Sequence, residues 1–120
     1  MNSHYIHNLE NISEVDLEAI YTHAEMLLFP SHIEGFGWPP LEAASLGIPV
    51  ITTKTGAIAD ILGENAIYIN SNDQDALEKS IERTLISQPS QTTRLSIPTT
   101  EECMLKYSDL YKKIMLDKNL

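Results

Sequence analysis

Three short apolar runs, Met26–Phe29, Val50–Thr53 and Ala66–Ile69, are separated by segments of helical length. That alternation restricts the fold more than any other feature of the chain. A strand-length run with no polar face suits a parallel strand covered on both sides. Parallel neighbours need a crossover connection, usually a helix. The expected fold class is therefore α/β, a parallel sheet with flanking helices. A weaker strand pattern spans Tyr5–Leu9.

Punctuation between the runs fits the same plan. Ser13 with Asp16 three residues later is an N-cap signal for a short helix carrying Val15, Leu17, Ile20, Tyr21 and Ala24 on one stripe. Pro40 stands where a first helical residue belongs, and Gly47 is a natural stop for the helix over Leu41–Leu46. Asn72 or Asp73 can cap a helix in which Ala76, Leu77, Ile81, Leu85 and Ile86 line one face. Thr99 and Glu102 form a capping box that opens a last helix with Met104, Tyr107, Tyr111 and Ile114 on one side. The division expected is a partial ligand-binding α/β domain over 1–87, a linker over 88–98 and a C-terminal helix over 99–120.

Composition narrows the classes. With 42% apolar and 21% charged residues in 120, the chain is an ordinary globular one that can bury a single modest core. A net charge of −9 argues against nucleic acid as a partner, and requires any phosphate-bearing ligand to be held by a local site. One cysteine, Cys103, allows neither an internal disulfide nor a cysteine metal site, and His4, His7, His23 and His32 lack metal-ligand spacing. No apolar stretch reaches the length of a membrane span and no signal-peptide core is present, so a cytoplasmic location is expected.

The concentrated chemical signal is Pro30-Ser-His-Ile-Glu-Gly-Phe-Gly-Trp-Pro-Pro-Leu-Glu42, running from a strand end into a helix start. In open α/β sheets ligands sit outside the carboxyl ends of the strands. Gly35 and Gly37 permit close backbone approach, and helix N-terminal N–H groups offer an anion site. Carboxylates at Glu34 and Glu42 bracket the turn and can accept hydrogen bonds from paired hydroxyls, which suits a ligand with both phosphate and sugar. On residue chemistry alone a plainer reading stands beside this one. Gly35-Phe36-Gly37 is then a tight turn, and Glu42 an acid complementing the helix dipole.

Glu34-Gly-Phe-Gly-x-Pro-x-Leu-Glu42 resembles the E-x7-E signature of family-4, or "group 1", retaining glycosyltransferases of the two-Rossmann-domain (GT-B) type. The likeness extends through Ile12-Ser13 with Leu17, Tyr21 and Ala24, through Pro30-Ser31, through Glu42-Ala-Ala-Ser-Leu-Gly-Ile-Pro-Val50, and to Gly56 and Gly63-Glu-Asn-Ala66. The resemblance implies a partial Rossmann-like sheet, the C-terminal donor-binding part of such an enzyme. It implies that Glu34 contacts the donor sugar as the catalytic-site carboxylate and that Glu42 contacts the ribose. Gly35, Phe36, Gly37 and Trp38 would lie at the sugar and phosphates, with Leu41 helping to line the pocket. The substrate would be a nucleotide-diphosphate sugar with no cofactor and no protein-bound metal. The acceptor, a glycan or lipid-linked molecule, would be met by a missing domain. The parent enzyme would be cytoplasmic or peripheral to the inner membrane.

Departures from the pattern are equally specific. The family's Gly-Gly-x-Pro-Glu run is Gly56-Ala57-Ile58-Ala59-Asp60, and its aromatic C-terminal element is Pro98-Thr99-Thr100. The first two strands of the donor domain, with an arginine and a lysine that face the diphosphate, have no counterpart. Lys54 and Arg83 are the candidate substitutes, with solvated positions as the default for both. In a 3-2-1-4-5-6 sheet the absent strands lie between Tyr5–Leu9 and Met26–Phe29. The latter would then present an open edge. The chain is expected to close that gap by pairing the two, to associate with a partner chain or a second copy, or to be marginally stable. A donor-binding transferase fragment is the leading reading. The alternative is a catalytically inactive remnant or interaction subunit that docks through its exposed edge. A nucleotide-sugar epimerase of similar architecture ranks third.

Overall fold

The computed structural model describes residues 5–87 and 94–117. Its elements are α1 (Glu14–His23), β1 (Leu27–Phe29), α2 (Trp38–Ser45), β2 (Val50–Thr52), α3 (Ile58–Leu62), a 3-10 turn (Gly63–Asn65), β3 (Ile67–Tyr68), α4 (Gln74–Ser87) and α5 (Thr100–Asp117). The three strands form one parallel sheet in the order β1-β2-β3. Leu27 faces Val50, and Ile51 faces Ile67. The α/β class is thus present as a partial Rossmann-like sheet with flanking helices.

The core lies where β2 is covered on both sides: Val50, Ile51 and Thr52 are all buried, Ile51 completely. Full burial of one such isoleucine stabilises by about 1.5–3 kcal/mol. Small Ala43 and Ala44 let α2 sit close to the sheet beside Leu41, Ile58 and Leu62. The Ile48 N–H bonds to the Ala43 carbonyl, which pairs with the Gly47-to-Ala44 bond in a Schellman stop. All three predicted N-caps are built. The Ser13 hydroxyl accepts from the Asp16 N–H at 3.1 Å. Thr99 and Glu102 exchange bonds at 2.7 and 3.2 Å. Asp73, not Asn72, caps α4 through Ala76 at 2.9 Å.

Four expectations are corrected. Tyr5–Leu9 is not a strand: Tyr5 is 87% exposed, and no neighbouring strand takes up its backbone groups. The gap is therefore not closed by pairing it with β1, which stays at the edge of the sheet with Leu28 43% exposed, so that strand is covered on one side only. The second helix starts at Trp38 rather than Pro40, because Gly37 takes a left-handed backbone (φ 82°) and turns the chain two residues early. On α4 the inward side is Ala76, Leu77, Ser80, Ile81 and Thr84, while Leu85 and Ile86 are exposed. Thr84 can be buried at 6% because its hydroxyl donates to the Ser80 carbonyl, as Ser80 does to Ala76.

Two helical stripes stay largely open. Val15, Leu17 and Ile20 of α1 are exposed, leaving Tyr21 and Ala24 to meet the core. On α5 every described side chain except Cys103 is exposed. Residues 88–93 of the expected linker lie outside the described residues. Leu95 is fixed by an N–H bond to Ala44 and packs on the core. Among the described residues no helix is long and apolar enough to cross a membrane.

Candidate functional site

The loop after β1 is held from the β2 side. The Thr52 hydroxyl donates to the Phe29 carbonyl at 2.9 Å, and the Thr53 hydroxyl to the Ser31 carbonyl. The Ala57 N–H then reaches the Gly35 carbonyl at 3.2 Å. Gly56 makes that contact possible. A Cβ there would overlap the Glu34 carbonyl oxygen and stand 2.6 Å from that of Gly35. Glu34, Gly35 and Gly37 are thereby brought against residues 53–58 at the carboxyl end of the sheet, where an open α/β sheet takes its ligands.

Within the loop, the Glu34 side chain accepts from the Gly35 N–H at 3.1 Å and is half-buried. Beyond its two chain neighbours no atom lies within 4 Å of where a Gly35 Cβ would be, so the backbone there faces open space. Phe36 and Trp38 form a tilted ring pair with centroids 4.7 Å apart, exposed by 45% and 62%. His32 contacts the Ser71 hydroxyl at 3.0 Å and ties this loop to the one after β3.

The start of α2 is poorer in donors than a generic helix. Its second and third residues are Pro39 and Pro40, which carry no N–H, so the anion-facing donors there reduce to Gly37 and Trp38. Leu41 belongs to the buried core. Glu42 is exposed and lines a groove of about 240 Å³ between α1 and α2, with Leu17, Tyr21 and Leu46. Glu34 does not line that groove; the two carboxylates have different immediate surroundings.

Burial raises the Tyr21 pKa, and the charge of Glu42 and a hydrogen bond to it raise it further. Tyr21 should ionise above 10.0 in an ultraviolet titration assigned with Tyr21→Phe, and Glu42→Gln should lower the value. Because the folded pKa is the raised one, Tyr21's contribution to stability is intact below about 10 and is lost as pH climbs through the folded value.

Positive charge is scarce. Residues 1–53 hold seven carboxylates and no lysine or arginine. Lys54, directly after β2, stands at the carboxyl edge with its ammonium 5.2 Å from the Tyr68 ring centroid. Arg83 lines a cavity with Ile67 and Ser87, at the opposite end of the sheet. Among the described residues no group of three or more His, Cys, Asp or Glu is placed to hold a metal ion. The Thr52–Thr53 pins and the Tyr21–Glu42 pair escape sequence reading. Gly56 was visible only as part of a loop.

Residues 2–97 match the sequence profile described as "Glycosyl transferases group 1". O-antigen chain mannosyltransferase B of Escherichia coli is 33% identical over 81 residues, 68% of this chain and 21% of that protein. MMP alpha-(1->4)-mannosyltransferase of Mycolicibacterium hassiacum is 31% identical over 96 residues, 78% of this chain and 23% of the relative. The 2-deoxystreptamine N-acetyl-D-glucosaminyltransferase of Niallia circulans is 47% identical over 53 residues, covering 42% and 14%. The chain thus spans about a fifth of the length of the first of these relatives. A profile match over four-fifths of the residues, on a parallel sheet with a glycine-bearing loop at its carboxyl edge, places the chain in the group 1 glycosyl transferase family.

Proposed function

We propose that this chain is the C-terminal, nucleotide-diphosphate-sugar-binding part of a retaining transferase with two Rossmann-like domains. It would serve polysaccharide, lipopolysaccharide or glycolipid synthesis in the cytoplasm or at the inner membrane face. The observation that carries the reading is the loop at Glu34–Gly37: pinned by Thr53 and Gly56, yet bare at Gly35. A fixed backbone with no side chain in front of it lets a flat, charged group approach closely. The relatives named above as mannosyl- and glucosaminyltransferases support the same substrate class.

In this reading Glu34 accepts hydrogen bonds from sugar hydroxyls and Glu42 from the ribose. Phe36 and Trp38 flank the sugar. As the bond from the anomeric carbon to the diphosphate breaks, negative charge grows on the departing phosphate oxygen. The Gly37 and Trp38 N–H groups at the start of α2 then stabilise it. The acceptor hydroxyl, delivered by an N-terminal domain, bonds through its oxygen on the face the diphosphate leaves, and its proton passes to the departing phosphate oxygen. No metal or cofactor enters the step. With two prolines in its first turn and Lys54, held over the Tyr68 ring, as the one cation at this edge among the described residues, α2 leaves much of the counter-charge to that N-terminal half.

Calorimetric titration of the 120-residue chain with GDP-mannose and UDP-sugars, each beside its bare nucleotide, tests the assignment. Glu42→Ala should weaken sugar nucleotide and bare nucleotide alike, by about tenfold or more, as expected for a hydrogen bond to a charged group. Glu34→Ala should weaken only the sugar nucleotide. Unchanged binding in either variant would remove that residue's role. The open β1 edge favours a second reading, a non-catalytic interaction subunit, and failure of every nucleotide to bind would select it.

A further inference from the structure

We infer that α5 is a docking arm for a second copy of this chain, and that it seats in the groove between α1 and α2. The helix is 18 residues long, about 27 Å at 1.5 Å per residue. It stands away from the body: the radius of gyration is 18.2 Å and the long axis 68 Å. A compact chain of 120 residues would have a radius near 14 Å. Six of its apolar residues share one side, with Leu105 and Leu116 outside that stripe. Met104, Tyr107, Leu110, Tyr111, Ile114 and Met115 fall within an arc of about 140° at roughly 100° per residue, wide enough for a core-facing stripe. All six are exposed.

Charge selects the occupant. The C-terminal residues 100–120 hold four lysines and four acids, so the entire net charge of −9 falls on residues 1–99. The α1–α2 groove is at the extreme of this imbalance. It is floored by Leu17, Tyr21 and Leu46 and rimmed by Glu14, Glu18 and Glu42, in a stretch of 53 residues without a lysine or arginine. Whatever covers it must bring apolar surface and positive charge together. On α5, Lys106 and Lys113 lie seven residues apart along one border of the apolar arc. The only ion pair among the described residues uses a different lysine, Lys112 with Asp109. Both border lysines are thus available to Glu14 and Glu18, four residues apart on one bank of the groove.

Reciprocal exchange of the two arms gives a closed two-fold dimer with the same contact made twice. This contact is distinct from the β1 edge, and because Glu42 rims the groove, a donor held by that carboxylate would oppose it.

Sedimentation velocity on the full chain across the micromolar range is the test, at low and at high salt. A dimer is expected at low salt, with a dissociation constant that rises with salt. K106E/K113E should raise that constant about tenfold or more, and E14K/E18K should do the same. Combining all four substitutions should restore the dimer, because the charges are exchanged rather than removed. Circular dichroism confirms that each variant is folded, as expected for exposed positions. A wild-type chain that stays monomeric, a dimer indifferent to K106E/K113E, or a quadruple variant that fails to recover would each overturn the inference. Indifference would assign the association to the β1 edge.

Discussion

Gly56→Ala is expected to cost about 2–5 kcal/mol and to unseat the loop that carries Glu34. Gly56 has φ +55°, where an L side chain is strained by roughly 1–2 kcal/mol. Its new methyl would also overlap the Glu34 carbonyl oxygen and crowd that of Gly35. Both obstacles are backbone, so no side chain can swing aside, and overpacking of this kind adds about 1–3 kcal/mol. Set against a total near 5–15 kcal/mol, the loss is a large share. Urea unfolding should show a lower midpoint, and amide exchange at Ala57 should quicken as its bond to Gly35 is lost. Gly35→Ala is the matched control. With nothing beyond its chain neighbours within 4 Å of the added methyl, stability should change by no more than about 0.5 kcal/mol. The first glycine serves the fold, and the second leaves room for a ligand.

Local chemistry made several of these elements legible in the sequence. Ser13, Asp73 and the Thr99–Glu102 pair cap helices through bonds made within three residues, so the residues alone announce them. The run Val50–Thr53 marks a central strand because both of its sides are covered. Tyr5–Leu9 misled for the opposite reason: strand character there depends on a neighbour that does not adjoin it. A hydropathy pattern misplaces the inward side of α4 because it counts Ser80 and Thr84 as polar. Their hydroxyls are satisfied inside the helix, so they bury at little cost. The start of α2 was missed because its cap is a backbone conformation at Gly37, not a side chain.

The candidate site divides along the same line. Glu34, the two glycines and Glu42 were readable as a spaced pattern. Their surroundings were not, because Thr53 meets Ser31 across 22 positions and Tyr21 meets Glu42 across a helix–helix groove. The sequence pattern treats Glu34 and Glu42 as a pair, whereas the fold gives one to the sheet edge and the other to the flank of α1. A donor that engages both has to cross the first turn of α2, over Gly37 and Trp38. The arm proposed for α5 seats beside Glu42, so association and ribose contact would compete for one carboxylate.

Ile58→Ala is expected to cost about 2–5 kcal/mol, the range for removing most of a buried isoleucine side chain. Ile58 is 1% exposed in the main core, and its Cγ1 lies 2.6 Å from where a Gly37 Cβ would be. It therefore supports the core from one side and the αL cap of α2 from the other. Gly37→Ala should be harmful alone, through both the positive φ and the contact with Ile58. In the double variant the contact disappears while the backbone strain persists. The pair should accordingly be less destabilised than the two single losses added together, by about 1–2 kcal/mol, which denaturant titration of all four proteins can resolve. Strict additivity would mean that Ile58 does not bear on Gly37 at all, leaving the loop to hang from Gly56 and Thr53 alone. Coupling of the expected sign would mean that the hydrophobic core sets the height of the glycine loop, so that a loss of packing at Ile58 is felt as a displaced Glu34.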